Sequence, residues 1–379
     1  MIMRLKNVKM TDLMIKIYYF NHYIMNTRLG YACINMALKE HKVCCNQTCR
    51  LDTAIKKGEE SGFNKGSEEY SEAIYKFLCD YGKSNLEDMF KSIAWSQKHG
   101  IFFYRMSSDM FPHISNLRMR GHMTDDHIYN YSNLIFAKDI IYEIGAYAQK
   151  YGIRLTMHPG HYNQLGSKSE DVISNTIRDL SWHALLLDLL EEGAESYNQY
   201  LINEDREDEI KENVMKHGIL CIHGGGTYKD KPETISRWKK TFKTVPEFIR
   251  RRIALENDER GYSVEDLLPI CNELNIPLIM DFHHYNCWAY YHKDNPDQKP
   301  IEELLPQVLD TWKSRDMIPK FHLSDQAEGK KIGAHHDYVE SIPDILLDLI
   351  DKQYKFDIMI EAKMKEKATL RLYKKYPNI

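Results

Sequence analysis

A short apolar run, Ile253 to Leu255, stops at Glu256 and passes into the polar turn Asn257-Asp-Glu-Arg260. The same pattern recurs along the chain. Other short apolar runs end in His158, His223, Asp281 with His284, His322 and Glu361, and His335 follows in the loop beyond His322. Singly, each histidine reads as a satisfied structural residue and each acid as surface charge. Gathered at one end of a sheet they could not stay unpaired, because buried polar and charged groups without partners are strongly destabilising. Divalent cations resolve that cost. Imidazole and carboxylate together suit zinc, manganese or iron, whereas an all-oxygen set suits magnesium. At about three or four donors per ion, the eight candidates imply two or three ions, with a carboxylate such as Glu256 shared between them. Closely spaced ions of this kind serve phosphoester hydrolysis. Gly224-Gly-Gly226 lacks the Lys-Ser/Thr of a phosphate-binding loop, so no nucleotide cofactor is expected. The glycines instead let backbone pass close to the metals or to a phosphate.

The elements that position these residues are legible as an alternation. Strands are expected over Arg28 to Ile34, Ile101 to Met106, Ile153 to Met157, Ile219 to Ile222, Ile253 to Leu255, Pro277 to Met280, Lys320 to Leu323 and Phe356 to Ile360. Helix-like periodicity separates them over Leu86 to Gln97, Asp126 to Lys150, Glu170 to Leu190, 232 to 250, Ser263 to Leu274, Ile301 to Trp312 and Tyr338 to Asp351. Such alternation predicts an α/β fold, a single-domain (β/α)8 TIM barrel over residues 28–366, with an open doubly wound sheet as the alternative. Residues 1–27 are an amino-terminal extension, about 39–83 and 191–216 are charged insertions, and 367–379 form a tail. In a barrel all the strand ends open into one mouth, which also receives Tyr31, Asn35, Ser107 and Ser108.

Composition narrows the setting. A net charge of −4 over 379 residues gives no global nucleic-acid signature, so any DNA contact rests on local patches or bound cations. The eight cysteines are scattered rather than framed as disulfides, and His41, Cys44, Cys45 and Cys49 lack zinc-knuckle spacing. A reducing, intracellular compartment is expected, either cytoplasm or nucleus. No apolar run approaches the ~20 residues of a membrane span. Residues 1–24 lack a signal-peptide pattern, and a chain starting at Met25 is expected to fold.

Several stretches together resemble the UV damage endonucleases, relatives of endonuclease IV among apurinic-site nucleases. They are Arg28-Leu-Gly-Tyr-Ala-Cys-Ile-Asn35, Phe103-Tyr-Arg-Met-Ser-Ser-Asp-Met-Phe-Pro112, Met157-His-Pro-Gly160, Leu255-Glu-Asn-Asp-Glu-Arg260, Asp281-Phe-His-His284, Lys320-Phe-His-Leu323, Gly333-Ala-His335 and Ile360-Glu-Ala-Lys363. The resemblance implies a (β/α)8 barrel with up to three metals, manganese first, with zinc, magnesium or cobalt as substitutes. It implies nicking of double-stranded DNA on the 5′ side of UV photoproducts, leaving a 3′-hydroxyl and a 5′-phosphate, by a monomer with no membrane partner. Carried over by position, His158, His223 and Glu256 hold one ion, Glu256, Asp281, His322 and Glu361 a second, and His284 with His335 a third. Lys320 matches a lysine carboxylated in some members and joins Glu256, Asp281, His322 and Glu361 in the chemistry. Tyr31 and Asn35 match residues lining the lesion pocket. His161-Tyr162 stands where the family usually has a Gln-Tyr wedge into the duplex. Lys229, Lys231, Lys330, Lys331, Lys363 and Lys365 fall in loops near the mouth. The rivals are an apurinic-site endonuclease without photoproduct preference, a metal-dependent sugar isomerase, and a damage-binding protein with structural metals. The last would need saturated ligation, often by cysteine, and no strand end offers a cysteine in a ligand position.

Overall fold

The computed structural model describes residues 26–294 and 297–379. The first 24 residues and the start at Met25 lie outside the described residues. Eight strands close a parallel barrel in chain order: β1 Thr27–Ala32, β2 Phe103–Met106, β3 Arg154–Met157, β4 Leu220–His223, β5 Ile253–Glu256, β6 Leu278–Asp281, β7 Lys320–Leu323 and β8 Phe356–Ile360. β8 returns to pair with β1, from Thr27 opposite Phe356 to Tyr31 opposite Ile360, which closes the ring and excludes an open sheet. Parallel strands covered on both faces must be nearly continuous apolar runs. Ile253-Ala-Leu255 and Leu278-Ile-Met280 are buried throughout.

Helices of eight residues or more are α1 Leu51–Glu60, α2 Glu68–Lys98, α3 Asp125–Ser132, α4 Lys138–Tyr151, α5 Glu170–Asn203, α6 Lys231–Thr244, α7 Val264–Leu274, α8 Phe282–Tyr291, α9 Ile301–Lys313, α10 Asp344–Asp351 and α11 Glu366–Lys375. Serine side chains start three of them: Ser67, Ser169 and Ser263 accept from the amides of Tyr70, Val172 and Asp266.

Four stretches differ from the sequence reading. Residues 39–83 carry α1 and the first half of α2, whose Tyr70, Ile74 and Leu78 form a buried stripe. The single helix expected over 126–150 is broken between α3 and α4, where Leu134 takes a left-handed φ of 55°. The insertion expected at 191–216 begins inside α5, which is pinned to the barrel by Asp188 and Glu191 on the buried Arg252 guanidinium. The expected tail 367–379 is mostly α11, docked on β1 through the Tyr373 hydroxyl, 2.8 Å from Leu29 N and 3.1 Å from Leu29 O.

The α4–α5 contact depends on two glycines. A Cβ at Gly145 would sit 2.1 Å from Leu190 O, and one at Gly193 2.4 Å from Tyr142 O. Backbone rather than a flexible side chain stands in the way, so the helices would have to part. Gly145→Ala is expected to lower stability by about 1–3 kcal/mol, the usual cost of overpacking. Urea unfolding measures this, and an unchanged midpoint would mean the helices separate freely.

At the bottom of the barrel, away from the mouth, Asp357 of β8 accepts from Arg28 at 2.6 and 2.7 Å and from Arg154 at 2.7 Å. All three side chains are buried.

Candidate metal centre

Strand register decides which polar ends meet. His223 on β4 lies beside Glu256 on β5, and Asp281 on β6 beside His322 on β7. Glu256, 1% exposed, is the hub. Its Oε2 lies 3.0 Å from His158 Nε2 and 2.7 Å from Cys221 Sγ, and its Oε1 lies 2.7 Å from His322 Nδ1. His223 Nε2 stands 3.9 Å away. Burial alone would raise the Glu256 pKa, but the neighbouring His322 and His223 and the hydrogen bonds from His158 and His322 hold it well below the usual carboxylate range. His158 is pushed down by its own burial, which favours the neutral, ligating imidazole.

Around this hub lies a ring of oriented side chains. Asp281 ends β6 and begins α8, so its Oδ1 accepts from the His284 amide at 2.8 Å while Oδ2 faces the site. His284 Nδ1 is 2.8 Å from Glu259 Oε2, and its Nε2 is 3.9 Å from Asp281 Oδ2. Burial lowers the His284 pKa, but Asp281 and Glu259 overcome that and lift it to about 11. The same close approach of His284 pulls Glu259 down to about 2. Glu361, one residue past β8, pairs with Arg105 of β2, and it lies 3.2 Å from His322 Nδ1 and 3.8 Å from His335 Nδ1. Burial opposes its charge, but Arg105 and His322 prevail and keep it ionised.

These residues fit divalent cations. His223 Nδ1, Asp281 Oδ2, His322 Nε2 and Lys320 Nζ are buried with no hydrogen-bond partner among the described residues. Such orphaned atoms are expensive in a finished fold, and a bound cation would satisfy the carboxylate oxygen and the two imidazole nitrogens, though not the lysine amine. Three groups have ligand atoms within 4.8 Å of one another: His158–Cys221–Glu256, His223–Glu256–His284, and Glu256–Asp281–His322. His284 thus falls with His223 and Glu256, and the His335 ring lies 5.4 Å from that of His283. Cys221 overturns the expectation that no cysteine reaches the site. Standing two residues before His223 on one strand, it faces the same side of the sheet. Lys320, two residues before His322, is fully buried for the same reason, and burial draws its amine down to about 8.

A cleft of about 760 Å³ opens from His158, His223, Arg105 and Glu361 toward Ser108, His161, Tyr162, Asn175 and Asp179. Ser108 Oγ donates to His158 O at 2.7 Å and ties the second strand's loop to the third's. His161 and Tyr162 sit on its rim, their ring centroids 4.2 Å apart, with Tyr162 78% exposed. Tyr31 and Asn35 do not line this cleft. The Tyr31 hydroxyl is buried against Ser96 Oγ at 2.8 Å and Asn35 Nδ2 at 2.9 Å, and Asn35 Oδ1 caps the Met36–Lys39 turn. Packing of the helix layer thus consumes both side chains. Arg105, Cys221 and Glu259 are the site residues that the sequence reading missed. A cation inside the apolar run Ile101 to Met106 was the available signal, since it demanded a buried partner. Of the loop lysines, Lys229, Lys330, Lys331 and Lys363 are exposed, while Lys231 is tied to Asp266 at 2.7 Å and Lys365 is half-buried.

The profile of the UV-endonuclease UvdE family matches residues 27–379. A protein of Acanthamoeba polyphaga mimivirus, provisionally named a UV-damage endonuclease, is 37% identical over 354 residues, covering 93% of this chain and 92% of its own. The UV-damage endonuclease of Schizosaccharomyces pombe is 35% identical over 92% of this chain but only 50% of its own length. The crystal structure of SacUVDE superposes with a TM-score of 0.67 at 26% identity, covering 93% of this chain and all of the other.

Proposed function

The chain belongs to the UV-endonuclease UvdE family, whose members act on DNA, and we propose that it nicks duplex DNA on the 5′ side of UV photoproducts by metal-dependent hydrolysis. Cyclobutane pyrimidine dimers and 6-4 photoproducts are the lesions, and the products are a 3′-hydroxyl and a 5′-phosphate. The observation that carries the reading is the convergence of His158, His223, Cys221 and His322 on one buried carboxylate, Glu256, beside the unpartnered Asp281 Oδ2. Two or three ions, manganese first, would be held by His223, Glu256 and His284, by Asp281, His322 and Glu361, and by His158. Bound there, divalent cations supply Lewis acidity and charge neutralisation to a phosphodiester.

The protein's own groups do the positioning. Glu259 fixes the His284 ring through Nδ1, and Arg105 fixes the Glu361 carboxylate; partners of this kind set ligand orientation and basicity. Lys320, with its lone buried amine, suits the carboxylated form that the resemblance implies. His161 and Tyr162 stand on the rim and stack into the duplex, where each base–aromatic contact contributes about 1–3 kcal/mol. Photodimers pair and stack poorly, so opening the helix there costs less than at intact bases. Exposed Lys229, Lys330, Lys331 and Lys363 meet the phosphate backbone. The protein works as a monomer inside the cell, where its DNA is, and among the described residues no helix is long and apolar enough to cross a membrane.

The test is incubation with irradiated and unirradiated plasmid, with and without EDTA, scoring nicks and measuring bound metal. Selective nicking of irradiated plasmid that EDTA abolishes and manganese restores is expected. Equal nicking of both plasmids, or nicking that survives EDTA, would overturn the reading.

A further inference from the structure

The aromatic pair at the rim is held by a side chain that neither the motifs nor the metal cluster accounts for. Gln164 lies between two loops at the mouth. Its Oε1 accepts from the Gly226 amide at 2.8 Å and from the Tyr228 hydroxyl at 3.1 Å, and its Nε2 donates to His161 O at 3.1 Å. The amide orientation follows from these partners, since two donors face one end and a carbonyl faces the other. Its own backbone amide donates to Thr176 Oγ1 at 2.9 Å, which roots the residue on α5.

The glycine run beyond His223 finds its physical reason here. A Cβ at Gly225 or Gly226 would lie 3.1 or 3.3 Å from Gln164 Oε1, and Gly225 takes a φ of +88° that side chains disfavour. The turn is therefore closed over the glutamine amide. Asn163 supplies a second anchor on the opposite side, donating to Asp179 Oδ2 and to Gly160 O, both at 3.0 Å. Asn163 holds the loop to the helix layer. Among the described residues, Gln164 makes the side-chain hydrogen bonds that tie it to the loop following the metal-ligand candidate His223.

We infer that Gln164 is a positioning residue that couples the His161-Tyr162 pair to the glycine turn beside the metal centre, so that discrimination of damaged from intact duplex depends on it. This rests on the endonuclease reading for its substrate but not for its geometry. With the link in place, the pair meets DNA already set in register with the cluster. Without it, the pair must be ordered on each encounter, which weakens lesion binding without touching the ligands.

The experiment compares wild type, Gln164→Ala, Gln164→Glu, Tyr228→Phe and the double variant Gln164→Ala/Tyr228→Phe, with Tyr162→Ala as a reference for a lost probe. Three readouts are taken: KM and kcat on irradiated and unirradiated plasmid, bound metal, and hydrogen exchange of the Gly226 amide in the DNA-free protein. Loss of the three side-chain bonds in Gln164→Ala is expected to lower the irradiated-to-unirradiated ratio roughly tenfold, through KM, with metal content unchanged. Gly226 exchange quickens roughly tenfold in the same variant. Gln164→Glu keeps the acceptor for Gly226 but repels His161 O, so exchange stays slow while discrimination falls. The double variant is no worse than Gln164→Ala, because the Tyr228 hydroxyl acts through the same amide. Unchanged discrimination and unchanged exchange in Gln164→Ala would overturn the inference, and so would loss of metal. If wild type itself shows no preference for irradiated plasmid, the endonuclease reading fails, and the exchange data still decide whether Gln164 joins the loops.

Discussion

Glu256→Gln is expected to yield a folded barrel that no longer nicks DNA. Both carboxylate oxygens are engaged, Oε2 by His158 and Cys221 and Oε1 by His322, and the group is 1% exposed. An amide has nearly the same shape, so packing survives. It carries no charge to share between cations, and its nitrogen turns a donor toward groups that were themselves donors. Changing an outer-shell partner typically costs ~10–100-fold in affinity or activity, and removal of the shared inner ligand is expected to exceed that range. Nicking assays, bound-metal measurement and circular dichroism are made on one preparation. Full activity with a single ion per chain would remove the case for a shared carboxylate.

Asp357→Ala is the second large effect, and it acts on stability alone. Asp357 is the counter-charge for Arg28 and Arg154, both buried at the bottom of the barrel. Deleting it leaves two guanidinium ions in the interior whose remaining hydrogen-bond partners among the described residues are carbonyls, His217 O and Ile318 O for Arg154 and Gly152 O for Arg28. Breaking a buried pair in this way costs about 3–5 kcal/mol, a large share of the ~5–15 kcal/mol that holds a typical protein folded. Burial would raise the carboxyl pKa, but Arg28 and Arg154 overcome it and hold the group below its ordinary 3.8. The sign follows: its contribution is complete above the unfolded value, near pH 4, and is lost as pH falls through the lower folded one. Urea midpoints of wild type should therefore drop toward acid below pH 4, and those of Asp357→Ala should drop less. Equal acid sensitivity in the two proteins would locate the acid-labile group elsewhere.

The barrel was legible because each parallel strand, buried on both faces, wrote itself as an apolar run. β5, β6, β7 and β8 each ended at or beside a potential ligand; Asp281 and His322 meet Glu256, and Glu361 lies 3.2 Å from His322 Nδ1. What stayed hidden depends on facing rather than on type. Cys221 reads as one more apolar residue until the pleat turns it to the side of His223. Arg105 and Glu259 orient ligands from other elements, and sequence distance, 256 residues from Arg105 to Glu361, conceals such pairs. The partners of Tyr31 and Asn35 were equally hidden, since a hydroxyl and an amide at a strand end look alike whether they face a base or bind Ser96. The amphipathic stripe of α2 was present in Tyr70, Ile74 and Leu78 but lay within a Lys/Glu-rich stretch that read as a charged insertion.

Ring closure between β1 and β8 has a consequence for the birth of the protein. Arg28 and Asp357 are 329 positions apart, and Glu361 follows the last barrel strand. At about 5–20 residues per second, a ribosome needs tens of seconds to make that stretch. Throughout that time the growing chain has strands without a closing partner and histidines without their last carboxylate. A prematurely terminated product has no β8 and no finished mouth. Strand-breaking activity, hazardous to a cell's own genome, is thereby withheld until β8 and Glu361 have been made.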